Sequence, residues 1–258
     1  MPNRRTFITG ALSTIGGVAA AEAGDLLQPT TLVDSEHPLI RDRARTITTG
    51  LKSDRERALA IFRFVRDDIR FGFAGAFWRQ KASDVLATGY GFCNTKSTLF
   101  VALLRAAGIP ARPVFVDIDA GILRGFLDPG TAYVDHSYTE VELEGRWIAT
   151  DSYIIDAPLF RNARARLAAE GRALGYGTHR DGTPDWDGRR DAFVQWVAAR
   201  DPAITRQTFG RYHDVADFYD NEARAQSRLG FPVSLIFPAF ALRANRAIAQ
   251  LRAGGTGG

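Results

Sequence analysis

The chain contains one cysteine, Cys93, and its setting is what suggests chemistry. Cys93 follows Gly91-Phe92 and opens a segment whose residues Leu99, Val101, Ala102, Leu103 and Leu104 predict a helix buried on most sides, stopped by Gly108 and Pro110. A sulfur at a helix N-terminus faces unpaired backbone N–H groups and the positive end of the helix dipole, both of which favour the reactive thiolate. The N–H of Cys93 can itself donate to an oxyanion as a carbonyl is attacked. Gly91, lacking a side chain, lets a substrate backbone come close. A thiol nucleophile also needs a base, and the chain offers four histidines, His37, His136, His179 and His213.

Of these, His136 has a partner within reach. Ser137 to Leu143 alternates as a strand, Glu144-Gly145 is a two-residue turn, and Arg146 to Thr150 is the returning strand. With Leu143 opposite Arg146, Tyr138 opposes Asp151 and His136 opposes Tyr153. His136 and Asp151 then project from the same face as diagonal neighbours. An Asp–imidazole hydrogen bond there would set the tautomer and stabilise the imidazolium. A loop one residue longer or shorter would put the two on opposite faces. The other histidines read as surface or capping residues: His37 precedes Pro38, His179 lies in a polar stretch, and His213 precedes Asp214.

The surrounding elements follow from local pattern. Leu39 to Thr49 predicts a helix ended by Gly50. Ser53 with Glu56 forms a capping box ahead of the stripe Ala58, Ile61, Phe62, Val65 and Ile69. Phe71 to Trp78 is aromatic and glycine-bearing, which predicts a loop. Ser83 caps a short helix over Asp84 to Thr88, and Gly89-Tyr90-Gly91 turns the chain. Arg112 to Asp119 predicts a strand and Ala120 to Asp135 a loop. Helices are expected around Leu159 to Leu174, Ala192 to Ala199, Asp214 to Arg228 and Ala239 to Arg252, with an exposed stretch from Gly175 to Arg190. Strands segregated from helices indicate an α+β architecture.

Two blocks carry a family resemblance. Ala82 to Val114, ASDVLATGYGFCNTKSTLFVALLRAAGIPARPV, resembles the cysteine segment of the transglutaminase-like superfamily: a Gly-x-Cys helix start, an apolar helix, and a Gly-Ile-Pro-Ala-Arg ending that leads into a strand. His136 to Asp151, HSYTEVELEGRWIATD, is similar to the superfamily's second block, which runs from His through Trp to Asp. The resemblance extends over roughly Leu39 to Asp156. It implies a papain-like cysteine-protease fold, with the cysteine at the N-terminus of a buried helix packed on an antiparallel sheet. It implies a Cys93-His136-Asp151 triad and acyl transfer at an amide, by hydrolysis or transfer to an amine; hydrolysis of a peptide or similar substrate is the expected direction for an exported protein, which meets abundant water. It further implies a side-chain donor to the oxyanion hole, for which Tyr90, Trp78 and Gln80 are candidates by proximity. This mechanism requires no cofactor. The competing expectation is an inactive binding or scaffold module that kept the fold, against which the presence of all three triad residue types argues. A metal site at Asp117, Asp119, Asp128, Asp135 and His136 is disfavoured, because the spacing matches no calcium loop.

The totals narrow the remaining classes. At 258 residues, with 45% hydrophobic and 24% charged residues, the chain can build one sizeable core. A single cysteine excludes an intramolecular disulfide and a cysteine-based zinc cluster. The net charge of +4 is spread over arginines interleaved with acids, which describes a solvated surface and not a nucleic-acid-binding face. Asn3-Arg4-Arg5-Thr6, the soft apolar stretch Ala11 to Ala21, and Ala21-Glu22-Ala23 together resemble a bacterial twin-arginine export signal. The expected organisation is a signal over residues 1–23, one domain over 24–252 with a helical extension from about residue 159, and a flexible tail over 253–258. That organisation implies a periplasmic or secreted protein, the alternative being a cytoplasmic one with an ordinary N-terminal helix. Neither Ala11 to Ala21 nor the apolar, proline-bearing Phe231 to Leu242 is long enough to span a bilayer.

Overall fold

The structure is a computed structural model that describes residues 25–74, 76–128, 130–197, 204–220 and 233–254. The expected export signal, most of the expected tail and the start of the Phe231 to Leu242 segment lie outside the described residues.

The helical side of the fold comes first in the chain. Helix α1 (Pro38–Thr48) starts at His37, whose Nδ1 accepts the Leu39 N–H at 3.3 Å, so this histidine is a cap. Helix α2 (Asp54–Asp67) starts at the expected Ser53/Glu56 box, and its stripe Ala58, Ile61, Phe62 and Val65 is buried. The aromatic segment after it opens as strand β1 (Arg70–Phe71), which pairs in parallel with β2 (Tyr90–Gly91). The short helix α3 (Ala82–Thr88) lies between them and closes on Gly89, whose φ of 68° is the left-handed cap that glycine tolerates. Helix α4 (Cys93–Ala106) follows and packs against α1, α2 and α3 on one side and the main sheet on the other. Every residue from Asn94 to Arg105 is buried.

The main sheet is four-stranded and antiparallel in the order β5-β4-β3-β8, built from β3 (Ala111–Asp119), β4 (Tyr133–Leu143), β5 (Arg146–Thr150) and β8 (Thr205–Arg211). The β4–β5 hairpin has the expected register, with Leu143 opposite Arg146. Its turn residues Glu144 and Gly145 take φ values of 54° and 72°, the paired positive angles of a type I′ turn. Strand β3 does not alternate between core and solvent. It is buried on both faces from Ala111 to Ile118, because α4 covers one face while the region that contributes β8 and α6 (Val215–Tyr219) packs around Phe115.

Beyond β5 the chain departs from the expected pattern. Helix α5 (Ala157–Ala169) is present, but the stretch from Gly175 to Arg190 is exposed only in part, mainly from Thr183 onward. It carries β7 (Thr178–His179), paired with β6 (Leu174–Gly175), and it buries Trp186 against Phe62 and Phe100. The expected helix at Ala192 to Ala199 is absent over its described part. Residues Ala192, Val194 and Trp196 are buried at period two, and the segment is extended because β5 and its exit offer partners: Ala192 N–H donates to Ala149 O, and Asp151 N–H to Ala192 O. Strand β8, which polar composition hid, pairs with the β3 edge, and its Arg211 joins Arg112 on the buried Glu140. Among the described residues no helix is long and apolar enough to cross a membrane.

The C-terminal helix α7 (Val233–Arg252) is docked by directed polar contacts. Asn245 exchanges two hydrogen bonds with the Phe73 backbone, and Asn162 of α5 donates to the carbonyls of Leu251 and Arg252. Arg252 grips the buried Asp156 through Nε and Nη2 at 2.9 and 2.7 Å and also donates to Phe71 O. Burial pushes the Asp156 carboxyl up, but the hydrogen bonds and charge of Arg252 outweigh it and hold the group below its ordinary value. A depressed carboxylate contributes stability that is present above the ordinary carboxylate pKa and is lost as pH falls through the depressed value. Arg252→Met should therefore lower unfolding free energy at neutral pH by about 3–5 kcal/mol, since it leaves a buried carboxylate without its counter-ion. It should also flatten the acid limb of the stability profile. Urea unfolding of both proteins across pH checks both effects.

Candidate active site

Cys93 is the first residue of α4, with Phe92 as N-cap and Thr95 Oγ1 accepting the Phe92 N–H at 3.0 Å. A Cβ on Gly91 would lie 2.7 Å from Lys96 Cγ and 2.9 Å from Thr95 Oγ1. The glycine is thus required for β2 to lie against the first turn of α4. Cys93 is half-buried, and the backbone N–H groups of Ser137 and Asn94 point at its sulfur. Its thiol donates to Asn94 Oδ1 at 3.4 Å.

The electrostatics at the sulfur are opposed. Burial, then the charge of Asp135, push the thiol up to about 12, and the two N–H groups offset only part of that. Asp135 belongs to a network that sequence reasoning missed. Asn94 Nδ2 donates to Asp135 Oδ2 at 3.4 Å and to the Tyr219 hydroxyl, and Tyr219 in turn donates to Asp135 Oδ2. The Tyr219 phenol is pushed well up by burial and by the neighbouring carboxylate. Asp135 stands directly before His136 and is visible in the sequence only as a disfavoured metal ligand, not as a neighbour of the sulfur. Tyr219 arrives from helix α6 and carries no local signal.

His136 sits in β4 opposite Val116 and is 2% exposed. Its Nε2 lies 3.3 Å from Asp151 Oδ2, so the structure brings these two expected partners together. The approach falls outside hydrogen-bond geometry, and both atoms are buried with no other partner. Hairpin pairing stops at Thr139 opposite Thr150, so Asp151 is one residue beyond the strand. Its orientation comes instead from the extended Ala192–Trp196 segment, where the Val194 N–H donates to Asp151 Oδ1 at 2.5 Å and leaves Oδ2 for the imidazole. Trp196 from the same segment sets its edge against the His136 ring at 5.3 Å and 89°. Tyr153, expected opposite His136, is buried under the helix and shares a hydrogen bond with Thr139 at 2.8 Å.

The remaining candidates separate. Trp78 stacks on Tyr219 at 4.5 Å and 8°, which ties it to the network around Cys93. Gln80 is buried with Oε1 unpartnered. Tyr90 is 40% exposed and lines a separate cavity against α7. Of the acids considered for a metal, Asp117 takes Arg206, Asp119 accepts the Gly121 N–H and Asp128 the Gly130 N–H. Among the described residues no group of three or more His, Cys, Asp or Glu side chains is arranged to hold a metal ion. His179 is buried, and its Nδ1 accepts the Asp181 N–H at 3.0 Å.

A cysteine at the head of a buried helix, beside an antiparallel sheet that carries His136 and leads into Asp151, defines a mixed helix-and-sheet fold. Residues 41–152 match the family model described as the Transglutaminase-like superfamily. No curated protein matches the chain. A solved structure described as a "putative cysteine protease" from Cytophaga hutchinsonii is 20% identical with a TM-score of 0.41, over 49% of this chain and 40% of that one. Another, described as a "putative protease" from Parabacteroides distasonis, is 18% identical with a TM-score of 0.34, over 49% of this chain and 24% of that one. The chain therefore spans less than half the length of either.

Asp135→Asn keeps the shape of the network and removes the charge that opposes thiolate formation. The expected result is faster alkylation of Cys93 by iodoacetamide at pH 8, with the rate–pH profile displaced to lower pH. Tyr219→Phe, which retains the carboxylate, should produce no such displacement.

Proposed function

We propose that this protein hydrolyses amide bonds in peptide substrates through an acyl-enzyme on Cys93, with His136 as base and acid and Asp151 as the group that positions the imidazole. The observation that carries this reading is the 3.3 Å approach of His136 Nε2 and Asp151 Oδ2, two buried atoms that have no partner but each other. Leaving them apart costs free energy, and an imidazolium formed during reaction draws them into a charge-assisted bond. With Nε2 directed at Asp151, Nδ1 is the nitrogen left for the thiol.

A thiol pushed up to about 12 is neutral at rest, so the proton leaves sulfur as attack proceeds. His136 takes the Cys93 proton while the S–C bond forms, and the carbonyl oxygen becomes the oxyanion. The Cys93 N–H donates to that oxygen. Of the side-chain candidates, Trp78 is the one linked to this network and is assigned as the second donor. The C–N bond then breaks as His136 returns the proton to the departing amine. A water, deprotonated by the same imidazole, hydrolyses the thioester and restores the thiol. Water is preferred over an amine acceptor because the twin-arginine start, taken as an export signal, puts the reaction outside the cytoplasm. The inert-module reading is favoured by the high thiol pKa and the thiol's bond to Asn94.

Incubation with a peptide mixture, followed by mass spectrometry of the Cys93 peptide, separates the two. An acyl adduct on Cys93 supports the enzyme, while an unmodified thiol that also resists iodoacetamide in the folded protein supports the inert module. Cys93→Ala should abolish turnover, and Asp151→Asn should reduce kcat by about 10²–10⁴-fold. Turnover retained in Cys93→Ala would refute the assigned nucleophile.

A further inference from the structure

A separate cavity shares no lining residue with Cys93, His136 and Asp151. It has a volume of about 200 Å³ and opens between the β1–β2 pair and α7. Its walls include Phe71, Phe73 and Ile248, all buried apolar residues, and its rim carries Arg70, Tyr90 and Arg252. The polar groups of this cavity are unequal. Arg252 is committed to Asp156 and Phe71 O, and the Asn245 amide is used in both directions by the Phe73 backbone. Arg70 is exposed and, among the described residues, pairs with no carboxylate. The Tyr90 hydroxyl likewise forms no hydrogen bond among the described residues. The groups left over are therefore a guanidinium and a phenol, both donors, above an aromatic floor.

We propose that this cavity binds a small aromatic carboxylate, with the carboxylate on Arg70 and Tyr90 and the ring against Phe71 and Phe73. An arginine fork matches a carboxylate in geometry and charge. The apolar walls offer the ring a surface that water solvates poorly. The volume is below the roughly 300 Å³ at which drug-sized ligand pockets begin, which limits the occupant to one ring with a short acid arm. Such a group reaches the site either as a free acid or as the C-terminal residue of a peptide ending in phenylalanine, and the chemistry is shared. The site makes no use of Cys93.

Isothermal titration of the full-length protein tests this with four probes: phenylacetate, phenylacetamide, and an acetylated peptide ending in phenylalanine as free acid or as amide. The expected result is saturable binding of the acids and none of the amides. Tighter binding of phenylacetate would identify a free acid as the ligand, and tighter binding of the peptide acid a chain terminus. Arg70→Gln, an exposed substitution, should weaken binding by at least about tenfold, the loss expected for a charge-assisted hydrogen bond. Ala249→Trp should block the cavity, with a melting curve showing that the fold is kept. Cys93→Ala should bind as the unaltered protein does. The proposal is overturned if no acid binds saturably, if the amides bind as well as the acids, or if binding survives both cavity variants.

Discussion

Five consecutive polar residues, Asn94 to Thr98, are buried in the first turns of the central helix, and the fold is organised around giving each of them a partner. Thr95 closes the N-terminus on Phe92, Ser97 meets Thr139 of β4, and Thr98 bonds back to the Asn94 carbonyl. Lys96 is the most demanding. Its ammonium, pulled down to about 7 by burial, is held by the carbonyls of Arg66, Ile69 and Ile154. Those acceptors lie at the end of α2, just before β1, and in the loop between β5 and α5, so one side chain ties three separate segments to the cysteine helix. A buried polar group left without such partners costs roughly 1–3 kcal/mol, and a charged one more. The helix can be central only because the surrounding loops are placed to satisfy it.

The same burial sets the character of the sulfur. A helix N-terminus favours a negative charge by about 0.3–1 kcal/mol when exposed, and by up to about 2 in partly buried settings. At Cys93 that help and two aimed N–H groups work against burial and against Asp135, and the thiol still ends near 12. A helix start is therefore an insufficient description of a nucleophile. The balance at this one is set first by burial and then by a carboxylate that the chain places one residue before its own histidine.

Much of the site is supplied from outside the segment that matches the superfamily. Cys93, His136 and Asp151 fall within residues 41–152, but the Val194 N–H that orients Asp151 and the Trp196 edge against His136 do not. Neither does Tyr219, which closes the Asn94–Asp135 network and carries Trp78 on its ring. Residues from Val194 to Tyr219 thus complete the surroundings of Cys93, His136 and Asp151, which all lie in the matched segment.

What the sequence determined was local. The Ser53/Glu56 box, the stops at Gly89 and Gly108, and the Glu144-Gly145 turn follow from backbone preferences of the residues themselves, and the two-residue turn fixes the register that sets Leu143 opposite Arg146. The tertiary structure decided what depends on partners distant in the chain. Ala192–Trp196 is extended and not helical because β5 and its exit offer open backbone groups. Strand β8 exists because the β3 edge needed covering and Glu140 needed a second arginine. Asp151 points at His136 because Val194 occupies its other oxygen, and the Cys93 thiol is pushed up because burial and then Asp135 oppose its charged form. Short-range propensity is a property of a few residues, whereas burial, hydrogen-bond partnership and electrostatic environment exist only once the segments have met.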